Sequence, residues 1–207
     1  MLSVRLNTLI VSCLAGSAIA GTPSLIINGS FEESSLNPGG SWSVLGGGNT
    51  SINGWITIGG GIDYFGTILN ASDGIHSIDI NNLNSGGGIA QTFETQIGWI
   101  YTVTFDMSAN MSGGPVEKIM NVSAAGSGED FVFDYVATGA TPQNPMWESH
   151  EWTFTATSTS STLQFMGVSG GVYGAALDNV YVTGEVPAPS ALGLIGLAGL
   201  MGTRRRR

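Results

Sequence analysis

The chain has 207 residues, with 15 Asp and Glu against 6 Lys and Arg and a formal net charge of −9. An acidic surface of this kind repels phosphate backbones and anionic lipid, which argues against nucleic-acid binding. Cys13 is the single cysteine and falls in the N-terminal leader, so the mature chain is expected to have neither a disulfide nor thiol chemistry.

Residues 1–20 combine Arg5, an apolar run over residues 6–14 and a small-x-small ending at Ala18-Ile19-Ala20. This pattern predicts a signal peptide cut before Gly21. Residues 21–184 then form one expected domain, long enough to bury about 70% of its unfolded surface without staples. Its only Lys or Arg is Lys118.

The 32 glycines, the abundant Ser, Thr and Asn and the absence of any amphipathic helical period predict a body that is all β. Residues 100–108 alternate cleanly, with Tyr101, Val103, Phe105 and Met107 on one face and Thr102, Thr104 and Asp106 on the other, as a half-buried strand does. Further strands are expected at 25–27, 54–58, 62–65, 75–80, 88–93, 119–124, 131–136, 150–156, 162–168 and 176–182. Glycine clusters at 46–48, 59–61, 86–88 and 113–114 mark turns between them. Short strands at this spacing imply a single two-sheet β-sandwich or jelly roll.

The first strand leads into Asn28-Gly29-Ser30-Phe31-Glu32, and the last carries Leu177-Asp178-Asn179-Val180. The first and last strands of a jelly roll are neighbours, so Glu32 and Asp178 are expected to reach one cation. Calcium (Ca2+), which takes about six to eight oxygen ligands, suits carboxylates and loop carbonyls. The alternative is that Glu32 accepts N–H bonds from a turn and Asp178 caps a strand end.

Sugar rings present apolar faces that stack on aromatic planes. Trp42, Trp55, Tyr64, Trp147 and Tyr173 stand in or beside loops, whereas Trp99, Trp152 and Phe154 read as buried. Trp55 and Tyr64, with Asp63, Asp73 and Asn81 as hydrogen-bonding partners for hydroxyls, are the expected ligand-binding set. For Trp55 and Tyr64 the competing reading is packing in the core or at its rim. No catalytic residue is expected. His76 and His150 have no nucleophile nearby in sequence, and Glu148 with Glu151, or Asp63 with Asp79, are pairs that any scatter of acids supplies.

The end of the chain, residues 185–207, has a different character. Pro187 and Pro189 interrupt any regular structure arriving from the body. About eighteen uncharged residues follow from Val186, near the short limit for crossing a bilayer core of ~30 Å. Arg204, Arg205, Arg206 and Arg207 close the chain and would stay cytoplasmic, halting translocation. This predicts a temporary stop-transfer anchor, with a permanent C-terminal transmembrane helix as the alternative.

The order Pro-x-Pro, short apolar segment and terminal arginine cluster resembles the PEP-CTERM sorting signal of Gram-negative bacteria, here in a Pro187-Ala188-Pro189 form. The resemblance implies processing by exosortase, a membrane transpeptidase-like protease. In the body, the Asn-Gly-x-Phe-Glu opening and the Leu-Asp-Asn-Val closing resemble galactose-binding-like jelly rolls of carbohydrate-binding modules, in which this pairing frames a structural calcium. Gly54-Trp55, Ile62-Asp63-Tyr64, Ala71-x-Asp73-Gly74, Ser77-Ile78-Asp79, Gln91-Thr92-Phe93 and Gly98-x-x-Tyr101 stand in the order seen in the choice-of-anchor C family, similar to the plant cell-wall proteins of domain of unknown function 642. The expectation is therefore an exported, non-enzymatic protein at the cell surface or in the extracellular matrix, contacting polysaccharide. A structural or adhesive matrix protein without glycan specificity is the second reading, and a glycan-active enzyme the third.

Overall fold

A computed structural model describes residues 23–81 and 86–187. The expected signal peptide with Cys13, and the expected sorting signal from Ala188 onward with Pro189 and Arg204 to Arg207, lie outside the described residues. Eleven strands run in chain order: β1 (Trp42–Leu45), β2 (Ile56–Gly59), β3 (Ile62–Phe65), β4 (Ser77–Asp79), β5 (Gly87–Glu94), β6 (Ile100–Ala109), β7 (Glu117–Ala124), β8 (Ser127–Asp134), β9 (Glu148–Thr155), β10 (Ser160–Gly167) and β11 (Ala175–Glu185). They form a six-stranded sheet, β1-β3-β4-β11-β6-β9, and a five-stranded sheet, β2-β5-β10-β7-β8, with antiparallel pairing throughout. The all-β sandwich read from the sequence is the fold observed.

Period-two alternation decides which side chains fill the space between the sheets. Tyr101, Val103, Phe105, Met107 and Ala109 of β6 point inward and meet Met120 and Val122 of β7 and Leu163 and Phe165 of β10 in one continuous core. Opposite side chains of the six-stranded sheet form its outer face. On it, Asp63 lies directly across from Asp79, and Asp178 directly across from Asp106. Phe65, Leu69 and Ala176 make a small second apolar cluster on this face, with Met111 and Trp147 packed against it.

Two expected elements differ. Residues 25–27 form no strand, because side chains satisfy much of their backbone: Ser24 Oγ accepts from Ile26 N, and Gln91 exchanges two bonds with Ile27. The segment still runs beside β11, with Leu25 N donating to Val182 O at 2.9 Å. Conversely, β1 was not expected. Its Trp42 and Val44 are exposed, so it lacks the buried apolar alternation that identifies the other strands. β8 begins at Ser127 because Ala125 and Gly126, at φ of 51° and 83°, make a two-residue hairpin turn with both central residues left-handed.

Candidate functional site

The opening and closing motifs meet and fasten one loop. Asn28 takes a left-handed φ of 53°, accepts from Glu33 N through Oδ1 and donates through Nδ2 to the carbonyls of Glu33 and Asn53. Gly29 then passes so close to β11 that Val180 N donates to its carbonyl at 2.9 Å. Phe31 is buried in the core, and its carbonyl accepts from the Tyr64 hydroxyl at 2.8 Å. Glu32, next in line, reaches across to Ile75 N and His76 N, both at 2.7 Å from Oε1. From the other side Asp178 accepts from Ser72 N at 2.7 Å and Asp73 N at 2.9 Å through Oδ2, and from Asn179 N at 2.7 Å through Oδ1.

Glu32 and Asp178 therefore converge on residues 72–76, and the groups between them are peptide N–H donors, as the alternative reading of Glu32 has it. Asp178 is fully buried; burial pushes its carboxyl up to about 7, against the three N–H bonds that favour the charged form. As the side chains stand, three of the four carboxylate oxygens face hydrogen. This donor set does not fit a calcium bridging the two residues, and among the described residues no group of three His, Cys, Asp or Glu is placed to hold a metal.

The expected ligand-binding set is split up. Trp55 is 3% exposed, packs against Phe31 at 5.4 Å and Phe165 at 6.4 Å, and donates its indole N–H to Asn28 O. Tyr64 is fully buried, with its ring stacked on His76. Neither ring presents a face to solvent, which corrects their assignment as stacking residues: both belong to the core. Asp73 is exposed on the fastened loop, and Asn81 is buried with its amide donating to the carbonyls of Ser169 and Gly171. Trp147 is half-buried and donates to Asn70 O. Trp99, expected to be buried, is half-buried.

Asp63 remains, and it opens into a cleft on the outer face of the six-stranded sheet. The cleft has a volume of about 110 Å³ and is lined by Trp42, Asp63, Phe65, Asn110, Ser112 and Tyr173, among others. Trp42 is 49% exposed and Tyr173 37%, so two of the five loop aromatics singled out in the sequence do meet here. Asp63 Oδ1 is shielded from solvent and has no hydrogen-bond partner; burial pushes the carboxyl up to about 6. Its cross-strand neighbour Asp79 is pushed to about 7, again by burial, although it accepts from Asn81 N, Asn110 Nδ2 and Gly174 N.

The loops that carry the cleft residues are tied by Lys118, which sequence reasoning left without a role. On β7 it occupies an inward position in register with Met120, Val122 and Ala124. Its ammonium donates to Gly113 O at 2.8 Å and Tyr173 O at 2.5 Å and lies 5.5 Å from the Tyr135 ring centroid. Burial lowers its pKa to about 8, with Asp79 pulling the other way. Gly113 lies under the Tyr173 ring, where an added Cβ would stand 2.3 Å from a ring carbon. The signal in the sequence was a lone cation at an inward position of a clean alternation.

Both imidazoles pack against aromatic rings, His76 on Tyr64 and His150 on Phe105. His76 Nδ1 is 2.9 Å from Phe65 O, and His150 stacks on Phe105 with its pKa lowered by burial. Glu148 and Glu151 are three apart on β9 and so point to opposite faces. Burial raises Asp106, but bonds from Ser149, Ser72 and Asn179, with His150 nearby, outweigh it and hold the carboxyl below its ordinary value.

Several known proteins are similar to this chain. A 172-residue stretch is 30% identical to halomucin of Haloquadratum walsbyi; it spans 81% of this chain but 2% of that protein's length. A cyclase from Fischerella sp. TAU, solved with 4-(1H-indol-3-yl)butan-2-one, superposes with a TM-score of 0.54 at 18% identity over 82% of this chain and all of its own. A family 35 carbohydrate binding module from Clostridium thermocellum gives a TM-score of 0.46 at 15% identity, covering 62% of this chain and 90% of its own. The likeness to the cyclase shows the fold alone. The model of the family described as "Protein of unknown function (DUF642)" matches residues 24–183, from the Ser24 side chain bonded to β11 to within two residues of that strand's end, and the chain therefore belongs to the DUF642 family.

Proposed function

We propose that this chain is an exported DUF642 domain, displayed at the cell surface or in the extracellular matrix, that binds polysaccharide without transforming it. The observation that carries this reading is the cleft: two exposed aromatic rings, Trp42 and Tyr173, flank polar groups of Asp63, Asn110 and Ser112. Aromatic faces stack on sugar C–H faces, and the polar groups serve hydroxyls. At about 110 Å³ the cleft is smaller than the ~300 Å³ of the smallest enclosed ligand pockets, which suits one sugar of a chain whose remainder lies along the surface.

The test is a glycan array followed by titration calorimetry. Saturable binding to one polymer class, weakened about tenfold or more by Trp42→Ala or Tyr173→Ala, supports the reading. Binding that ignores both substitutions contradicts it. The second reading, an adhesive matrix protein without glycan specificity, draws on the acidic net charge of −9 and predicts no preference among polymers.

Delivery belongs to the same proposal. Residues 1–20 act as the leader, and Pro187, Pro189 and Arg204 to Arg207 frame a sorting signal handled by an exosortase of a Gram-negative host. Replacing the four arginines by Ser is expected to release unprocessed or mislocated protein; normal processing of that variant would contradict the assignment.

A further inference from the structure

We infer that the cleft between Trp42 and Tyr173 selects a glycan bearing free, protonated amino groups, with the Asp63 carboxylate receiving the ammonium. The inference rests on the reading of this cleft as a polysaccharide site and adds the chemical class of the sugar.

A carboxylate oxygen withdrawn from water normally finds a donor in the protein. Asp63 Oδ1 is withdrawn and has none. The donors nearby are committed to its neighbour, because Asn110 Nδ2, Asn81 N and Gly174 N all bond Asp79. Asp79 stands directly across the ladder from Asp63 and is itself held by those three donors. Between Arg5 and Arg204 the sequence holds one Lys or Arg, Lys118, and its ammonium donates to the carbonyls of Gly113 and Tyr173.

Asp63 thus lines the cleft with no protein donor on Oδ1, while Asp79 lies buried behind it within reach of the Lys118 charge. A hydroxyl entering the cleft would offer a neutral donor, whereas an ammonium offers a donor and the missing charge, and charge-assisted bonds are about twice as strong. The walls add to the preference, since exposed Trp and Tyr rings attract a cation over their faces. An acidic sugar would meet the opposite field. Burial that holds the Asp63 carboxyl up at about 6 leaves it charged but poorly solvated at neutral pH, a state that an incoming cation relieves.

Three tetrasaccharides with the same β-1,4 backbone isolate the group at C2: glucosamine, N-acetylglucosamine and glucose oligomers. Titrated into the full-length protein near neutral pH, the glucosamine oligomer is expected to bind about tenfold tighter than the other two. The advantage is expected to shrink as NaCl rises from about 50 to about 500 mM. Asp63→Asn removes the advantage, while Glu129→Gln, which neutralises an acid on the other sheet, keeps it; a melting temperature for Asp63→Asn no lower than that of the unaltered chain separates loss of the site from loss of the fold. Trp42→Ala weakens all three ligands. If the three bind alike with dependence on Trp42, the amino-sugar inference fails and the polysaccharide reading stands. If Glu129→Gln abolishes the preference as Asp63→Asn does, general charge attraction is responsible and the inference fails. If no oligomer of any class binds, and a glycan array is blank, both fail.

Discussion

Gly29 has no side chain because Val180 occupies the place where one would go. A Cβ there would stand 1.8 Å from the Val180 carbonyl oxygen, a backbone atom that cannot move without breaking the contact between the chain's opening and its last strand. Gly29→Ala is expected to cost ~3 kcal/mol in urea unfolding; a loss within the error of the measurement would show that the two segments part easily. Asp178 acts in the same clamp. Asp178→Ala strands the N–H groups of Ser72, Asp73 and Asn179, at about 1–3 kcal/mol for each one left buried. Because peptide groups fill its coordination, the melting temperature of the unaltered chain is expected to be the same in EDTA and in calcium; a rise with calcium that Asp178→Ala abolishes would put a cation there instead. Both motifs were legible as motifs, and their meeting followed from the fold. The turn N–H groups that Glu32 accepts were the stated alternative, whereas the Asp178 bonds to the same loop were not, since backbone N–H groups leave no trace in residue type. Trp55 and Tyr64 misled for a related reason. Tyr64 shares its inward face with Ile62, as alternation implies, and Asp63 between them points out to the cleft. The outward residue, not the aromatic beside it, was the one to follow.

Strands announced themselves where one face was buried, and β6 was found by that alternation. β1 was hidden because it is four residues long with Trp42 and Val44 outside, and those exposed residues are what a binding edge requires. The elements that shape the cleft are loops, and Lys118 ties two of them from within the core by its bonds to Gly113 and Tyr173. Lys118→Met keeps the aliphatic stem and removes both bonds, so it is expected to destabilise by about 2 kcal/mol and to weaken glycan binding along with Tyr173→Ala. Binding by Lys118→Met equal to that of the unaltered chain would show that the loops hold their shape without the tie.

At the scale of the whole molecule, charge and burial act against each other. Burial pushes Asp63 up to about 6 and Asp79 and Asp178 up to about 7, from an ordinary value of 3.8. Between pH 3.8 and those values the folded chain keeps protons that the unfolded chain has released, so stability is highest at the acid side of the window and falls as pH rises through it. Asp106 has the opposite sign, since it is held below its ordinary value, and its contribution is lost only as pH drops under the unfolded pKa. Lys118, lowered to about 8, adds stability as pH climbs from there toward 10.5. His150, lowered by burial, acts the other way below 6.5 but is one group against three; the melting temperature is therefore expected to decline from about pH 5 to about pH 7, with a shallower decline in Asp79→Asn, and a rise over that range would contradict the burial of these carboxyls. An aromatic-edged cleft with Asp63 in its lining lies on the outer face of the six-stranded sheet. The most direct test follows the five tryptophan indole resonances by NMR while glycan is added. The Trp42 resonance is expected to shift in proportion to ligand bound while that of buried Trp55 stays in place; a saturable glycan that leaves Trp42 unmoved would contradict the assignment of this cleft as the binding site.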